Sequence, residues 1–122
     1  LAIINPTKQF VLLDSLGKRI SFIRNAVREL GLTNVEPVLS RVEEYQPEQK
    51  FDGVLSRAFA SLTDFINASK PYMHQDSIIA SMKGLVPHDE VEAFKNEFSC
   101  DIIALKVPRL DEQRHLLLLK RI

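Results

Sequence analysis

Phe10-Val-Leu-Leu-Asp-Ser-Leu-Gly-Lys-Arg19 decides how this chain is read. An apolar run stops at Asp14, turns through Ser15 and Gly17, and opens into a basic segment. A short continuous apolar run without alternation marks a parallel strand covered on both faces. In doubly wound α/β proteins, an acidic residue at the carboxyl end of the second strand holds an adenosine ribose. A carboxylate suits that task because it accepts hydrogen bonds from two vicinal hydroxyls at once. Asp14 suits a helix cap equally well, since its oxygen can accept a free N–H of the helix that follows.

Outward from this stretch, strands and helices alternate. Residues 18–30 are predicted helical, with Ile20, Ile23, Val27 and Leu30 on one face and Arg24 and Arg28 on the other. Gly31 is the expected C-cap. Residues 34–39 read as a strand that Pro37 assigns to an edge. A turn or short helix at 40–45 and a polar loop at 46–50 lead to a strand over Phe51–Ser56. Ser61 and Asp64 have capping-box-like spacing before a stripe of Leu62, Phe65 and Ile66. A strand at 77–82 precedes a helix opened by Pro87, Asp89 and Glu90, with Val91, Phe94 and Phe98 as its stripe. Residues 101–107 and 115–121 read as an antiparallel pair at the sheet edge. This pattern predicts an open α/β sheet with right-handed crossovers.

Composition narrows the function classes. Sixteen basic and sixteen acidic residues give zero net charge. That balance argues against gripping nucleic acid by bulk electrostatics, for which a pI above about 9 is usual. Locally, Lys18, Arg19, Arg24 and Arg28 fall within one helix. No apolar run approaches the roughly 20 residues needed to span a bilayer, so no membrane is expected. The single Cys100 fits a reducing, cytoplasmic setting and reads as a buried, inert thiol. His74, His88 and His115 are scattered, lack metal-ligand spacing and read as solvent or packing histidines. Because the chain opens at Leu1 inside an apolar segment, residues 1–122 are expected to be the C-terminal part of a single domain.

Several blocks recur together in one family: Asp14-Ser-Leu-Gly-Lys-Arg19, Ser40-Arg-Val-Glu-Glu44, Phe51-Asp-Gly-Val-Leu-Ser-Arg-Ala-Phe-Ala60, Met82-Lys-Gly84 and Arg114-His115. The chain resembles the bacterial 16S ribosomal RNA guanine-N7 methyltransferases, the glucose-inhibited division protein B family. The resemblance implies the class I S-adenosylmethionine-dependent methyltransferase fold, a Rossmann-like, mostly parallel sheet ending in an antiparallel strand pair. It implies transfer of a methyl group from S-adenosyl-L-methionine to N7 of a guanine in 16S rRNA of the small ribosomal subunit. The family's glycine-rich loop after its first strand is absent, so the first strand is expected to be missing and residues 1–5 to form the helix after that loop. This departure leaves an alternative: a non-catalytic RNA- or ribosome-binding module that retains the fold. Another adenine-nucleotide domain would account for Asp14 but not for the later blocks.

The resemblance also implies roles. Asp14 and Ser15 would meet the cofactor ribose, Val42 the adenine face and Glu43 its edge. Arg57 would belong to the cofactor site, where its fork suits the methionine carboxylate or an RNA phosphate. Arg41, Lys18, Arg19, Lys83 and Arg114 would bind RNA, with Gly84 allowing close approach beside Lys83. Phe59 reads either as core or as a stacking platform for a displaced base. Ser56-Arg57-Ala58-Phe59 stands where methyltransferases acting on exocyclic amines carry Asn-Pro-Pro-aromatic. Guanine N7 has a free lone pair and no proton to lose, so positioning is needed rather than a base, and no catalytic acid–base pair is expected. N7 must also stay free, which excludes the usual arginine grip on both O6 and N7.

Overall fold

The apolar run of residues 10–13 becomes β1, Phe10–Asp14, which crosses through α1, Gly17–Leu30, to the parallel strand β2, Val35–Leu39. The computed structural model describes residues 1–57, 61–106 and 114–122. It divides into two units, Leu1–Gln46 and Pro47–Ile122.

In the first unit, the strands pair from Phe10 opposite Val35 to Asp14 opposite Leu39, so Pro37 lies on an edge as expected. Gly31 ends α1 at φ 64°, a left-handed conformation that glycine adopts without steric cost. Ile20 is fully buried, and Ile23 and Val27 are half-buried. Leu30, expected on the same stripe, is 60% exposed. The 14-residue helix is about 21 Å long and overruns strands of 5 residues, about 17 Å. Residues 1–5 form turns rather than the expected helix. Pro6 disfavours the helical conformation at Asn5. The buried Asn34 amide instead gathers the carbonyls of Ala2, Asn5 and Lys8 at 3.1, 3.1 and 2.9 Å.

The second unit contains β3 (Phe51–Ser56), α2 (Leu62–Ser69), a 3-10 turn (Lys70–Tyr72), β4 (Met73–Lys83), α3 (His88–Ala93), β5 (Phe98–Leu105) and β6 (Arg114–Arg121). Its strand order is β3-β4-β6-β5, with β3 parallel to β4 and β6 antiparallel to both its neighbours. Ser61 caps α2 by accepting the Asp64 N–H at 3.0 Å. Leu62, Phe65 and Ile66 then bury against Met73, Ile79, Leu117 and Leu119.

Two boundaries differ from expectation. β4 begins at Met73 rather than Ser77, because polar residues bond one another along its first part. His74 N–H donates to Ser77 Oγ at 2.9 Å, Asp76 N–H donates to His74 Nδ1 at 3.1 Å, and the Ser77 hydroxyl donates to the Phe51 carbonyl. Phe98 is buried as expected, but it opens β5 instead of closing α3, which stops at Ala93.

The α/β class holds, with parallel strands and an antiparallel C-terminal pair, but the strands form two sheets rather than one. Among the described residues, β1 is paired only with β2, and β3 only with β4. The units also differ in core. Among the described residues, Ile20 is the buried apolar side chain of the first, against nine in the second. On the second sheet, the face opposite α2 leaves Leu55, Ile78 and Met82 exposed.

Ile79→Ala or Leu117→Ala is expected to cost about 2–5 kcal/mol, because both side chains are fully buried. Ile78→Ala, on the open face of the same strand, should cost less than about 1 kcal/mol. Urea unfolding midpoints distinguish the two classes.

Candidate functional site

Parallel pairing sets the carboxyl ends of β1 and β2 side by side, the end at which open α/β sheets form their ligand crevice. The Ser40 N–H donates to the Asp14 carbonyl at 3.0 Å, so the turn after β2 starts beside Asp14. The Ser40 hydroxyl and the Glu44 N–H both donate to the Arg41 carbonyl, at 2.9 and 3.1 Å, and close that turn. Val42 is half-buried within it, while Arg41 and Glu43 are exposed. Asp14, Ser15, Arg41, Val42 and Glu43 are thereby brought to one end of the first unit, with Lys18 and Arg19 in the opening turn of α1.

The Asp14 carboxylate accepts the Leu16 N–H at 2.8 Å and an Arg19 N–H at 3.4 Å. The Leu16 bond holds its pKa below the ordinary carboxylate value. Partial burial opposes that shift, and Arg19 reinforces it. Asp14 thus does not cap α1, whose N-cap Leu16 has no side-chain cap; it braces the turn that leads into the helix and leaves capacity for more. A carboxylate has about four lone-pair sites, and these bonds use two. Vicinal hydroxyls fit that remaining capacity.

Asp14, Lys18, Arg19, Phe22 and Ile23 line a shallow open groove. Phe22, which sequence reasoning passed over, is 73% exposed. Its signal was its place off the Ile20–Ile23–Val27 stripe, four residues after Lys18.

In the second unit, Arg57 is exposed directly after β3, and Lys83 ends β4. Lys83 lies opposite His115 in the antiparallel ladder, so both side chains project from the same face. His115 Nδ1 donates to the Gly84 carbonyl at 2.8 Å and ties the start of β6 to the chain leaving β4. Arg114, the preceding residue, is half-buried. Glu90, expected only as an acid in the first turn of its own helix, accepts hydrogen bonds at the start of α2.

The histidine reading needs correction, since His74 and His115 both have specific partners. His74 Nε2 lies 2.6 Å from Asp52. Because Nδ1 accepts the Asp76 N–H, the proton of the neutral ring is on Nε2. Cys100 is half-buried on β5, and burial pushes its thiol pKa up, as an inert thiol requires. Phe59, Ala58 and Ala60 lie outside the described residues, as do residues 107–113. Among the described residues, no group of three or more His, Cys, Asp or Glu could hold a metal. No helix there is long and apolar enough to cross a membrane.

Residues 1–117 match the family model described as rRNA small subunit methyltransferase G. The chain is 60% identical over 121 residues to ribosomal RNA small subunit methyltransferase G of Pasteurella multocida, covering 98% of this chain and 58% of the relative. The protein of that name from Histophilus somni is 61% identical over 123 residues, covering 100% and 58%. The chain thus spans about three-fifths of the length of the curated relatives it matches. Among solved structures, an rRNA methylase from Streptococcus thermophilus superposes with a TM-score of 0.69 at 13% identity, covering 93% of this chain and 74% of that one. TrmN from Thermus thermophilus gives a TM-score of 0.74 at 14% identity, covering 99% and 39%. These likenesses show the class I methyltransferase fold.

The depressed pKa makes ionised Asp14 a stabilising group. Its contribution is present above the ordinary value of 3.8 and is lost as the pH falls through the lower folded-state value. The melting-temperature gap between wild type and Asp14→Asn should therefore stay constant between about pH 6 and 8 and close below about pH 4. A gap that persists unchanged to about pH 2 would mean that ionisation is not what stabilises.

Proposed function

Because this chain belongs to the rRNA small subunit methyltransferase G family, we propose that the whole protein methylates N7 of a guanine in 16S rRNA, using S-adenosyl-L-methionine. The observation that carries the reading is the match over residues 1–117, together with 60% identity across 98% of the chain. We take both units as parts of one methyltransferase domain acting in the cytoplasm.

The cofactor, when bound, supplies a methyl group on a sulfonium, an electrophile needing no further activation. The chain's task is to hold the reactants. Asp14, already ionised and anchored through Leu16, offers its remaining lone pairs to the ribose hydroxyls, and Ser15 adds a donor. Val42 supports the adenine face, with Glu43 at its edge. The turn that carries them is fixed to the Asp14 backbone by the Ser40 bond, so the ribose and adenine contacts share one rigid base. Arg57 serves an anionic group, the methionine carboxylate, and as a cation it stays away from the sulfonium. Arg41, Lys18, Arg19, Lys83 and Arg114 meet RNA phosphates. Arg19 does so with the donors its bond to Asp14 leaves free. N7 attacks through its own lone pair, so holding it in line with the methyl supplies the rate without proton removal.

Incubation of the full-length protein with radiolabelled S-adenosylmethionine and unmodified small subunits should yield labelled 7-methylguanosine. RNA binding without label would favour the non-catalytic module. Arg57→Ala should weaken cofactor affinity about tenfold by calorimetry, the loss of one charge-assisted contact. Arg41→Ala should lower rRNA methylation several-fold with cofactor affinity unchanged. Equal losses in both measurements would remove Arg41 from the RNA surface.

A further inference from the structure

Lys83 ends β4 and Arg114 begins β6, both read above as RNA contacts, and His115 stands beside them without a role. It follows Arg114 directly and lies opposite Lys83 in the antiparallel ladder, so its side chain shares a face with Lys83. That place is the carboxyl end of β4, where open α/β sheets collect their ligands.

The main chain sets what this ring can do. A carbonyl oxygen only accepts, so the 2.8 Å bond to the Gly84 carbonyl requires the proton on Nδ1. In the neutral ring Nε2 then carries a lone pair and no proton, and among the described residues nothing donates to it. His74 differs, because both of its nitrogens are taken, one by Asp52 and one by the Asp76 N–H. The fold uses His74 up and leaves His115 with an acceptor to offer.

An acceptor fixed among cations does not serve phosphates. A phosphodiester has no hydrogen to give, so Nε2 adds nothing to the grip on the RNA backbone. The donors of RNA are its 2′-hydroxyls and the N–H groups of its bases. Guanine carries N1–H and the N2 amino group on its Watson–Crick edge, away from N7. A contact there holds the base and leaves N7 free to attack. Adenine presents a lone pair at N1, which the same acceptor opposes.

We infer that His115 reads the target guanine: Nε2 accepts a hydrogen bond from the Watson–Crick N–H groups of the base, and the Gly84 carbonyl keeps the ring in the tautomer that can accept. The inference rests on the methyltransferase reading above and deepens it by assigning the residue that selects the base.

The test uses the full-length protein and unmodified small subunits, with kcat and KM for methylation, cofactor calorimetry and thermal melting. His115→Asn keeps an amide N–H in place of Nδ1–H, and with it the tie to Gly84, but loses the acceptor at Nε2. It should lower kcat about tenfold, the loss of one hydrogen bond, with cofactor affinity and melting temperature unchanged. His115→Gln sets an amide where Nε2 stood, and that amide accepts or donates by turning over. It should recover most of the methylation of guanine. It should also narrow, by about tenfold, the preference for subunits with guanine over those with adenine at the target position, measured by competition. This variant carries the test if His115→Asn does not fold. Undiminished methylation by His115→Asn, or a loss matched by falls in melting temperature and cofactor affinity, would leave His115 a brace for Gly84 and overturn the inference. An unchanged guanine preference in His115→Gln would point to a 2′-hydroxyl and overturn it too. If the wild-type protein forms no 7-methylguanosine, the inference falls together with the methyltransferase reading.

Discussion

Backbone hydrogen bonding along β4 is the constraint around which the second unit is organised. The strand is bonded on both edges, parallel to β3 and antiparallel to β6, so its carboxyl end must lie beside the end of β3 and the beginning of β6. Arg57, Lys83 and Arg114 therefore come to one edge of the sheet, although 57 residues separate the first from the last. Backbone pairing along β4 carries all three there. Alternation does the rest: Ser77, Ile79 and Ser81 face the core under α2, while Ile78 and Met82 face away.

The same economy governs the first unit. A parallel pair joined by one helix leaves few ways to end the strands, and the Ser40 N–H to Asp14 carbonyl bond is an extension of the ladder. Asp14 then works twice. Its carboxylate stabilises the turn into α1, and it retains the acceptor capacity that the proposed ribose contact requires. Bracing a turn and holding a ligand are compatible tasks for an acidic residue at a strand end, because the Leu16 and Arg19 bonds use only about half of its lone pairs.

Much of this was legible in the sequence. The apolar run of residues 10–13 located β1, Phe51–Ser56 was read as a strand with the bounds of β3, Gly31 marked the end of α1, and the Ser61–Asp64 spacing placed the start of α2. The misreadings share a cause: local pattern stood in for tertiary pairing. Phe94 and Phe98 fit a helical period, yet β6 recruits Phe98 into a strand, and both readings bury it. Polar His74, Gln75 and Asp76 resemble a loop, yet side-chain bonds hold them at the start of β4. Of the proposed site, the residues on strand ends and turns were visible because strand ends are. The bonds that Glu90 and His115 make were not, since their partners lie 28 and 31 residues away and neither bond leaves a periodic trace.

The uneven division of buried apolar side chains has a thermodynamic consequence. The first unit carries the whole proposed adenosine surface, Asp14, Ser15, Val42 and Glu43, on a core in which Ile20 is the fully buried apolar residue. Regions with so little buried apolar area occupy the low end of the local-opening scale, where amide hydrogens exchange first. A ligand that binds only the closed form adds its mass-action term to that unit, about 2.7 kcal/mol at a concentration one hundred times its Kd. For the first unit, the adenosine end of the cofactor would therefore add to a core that residues 1–46 by themselves leave thin.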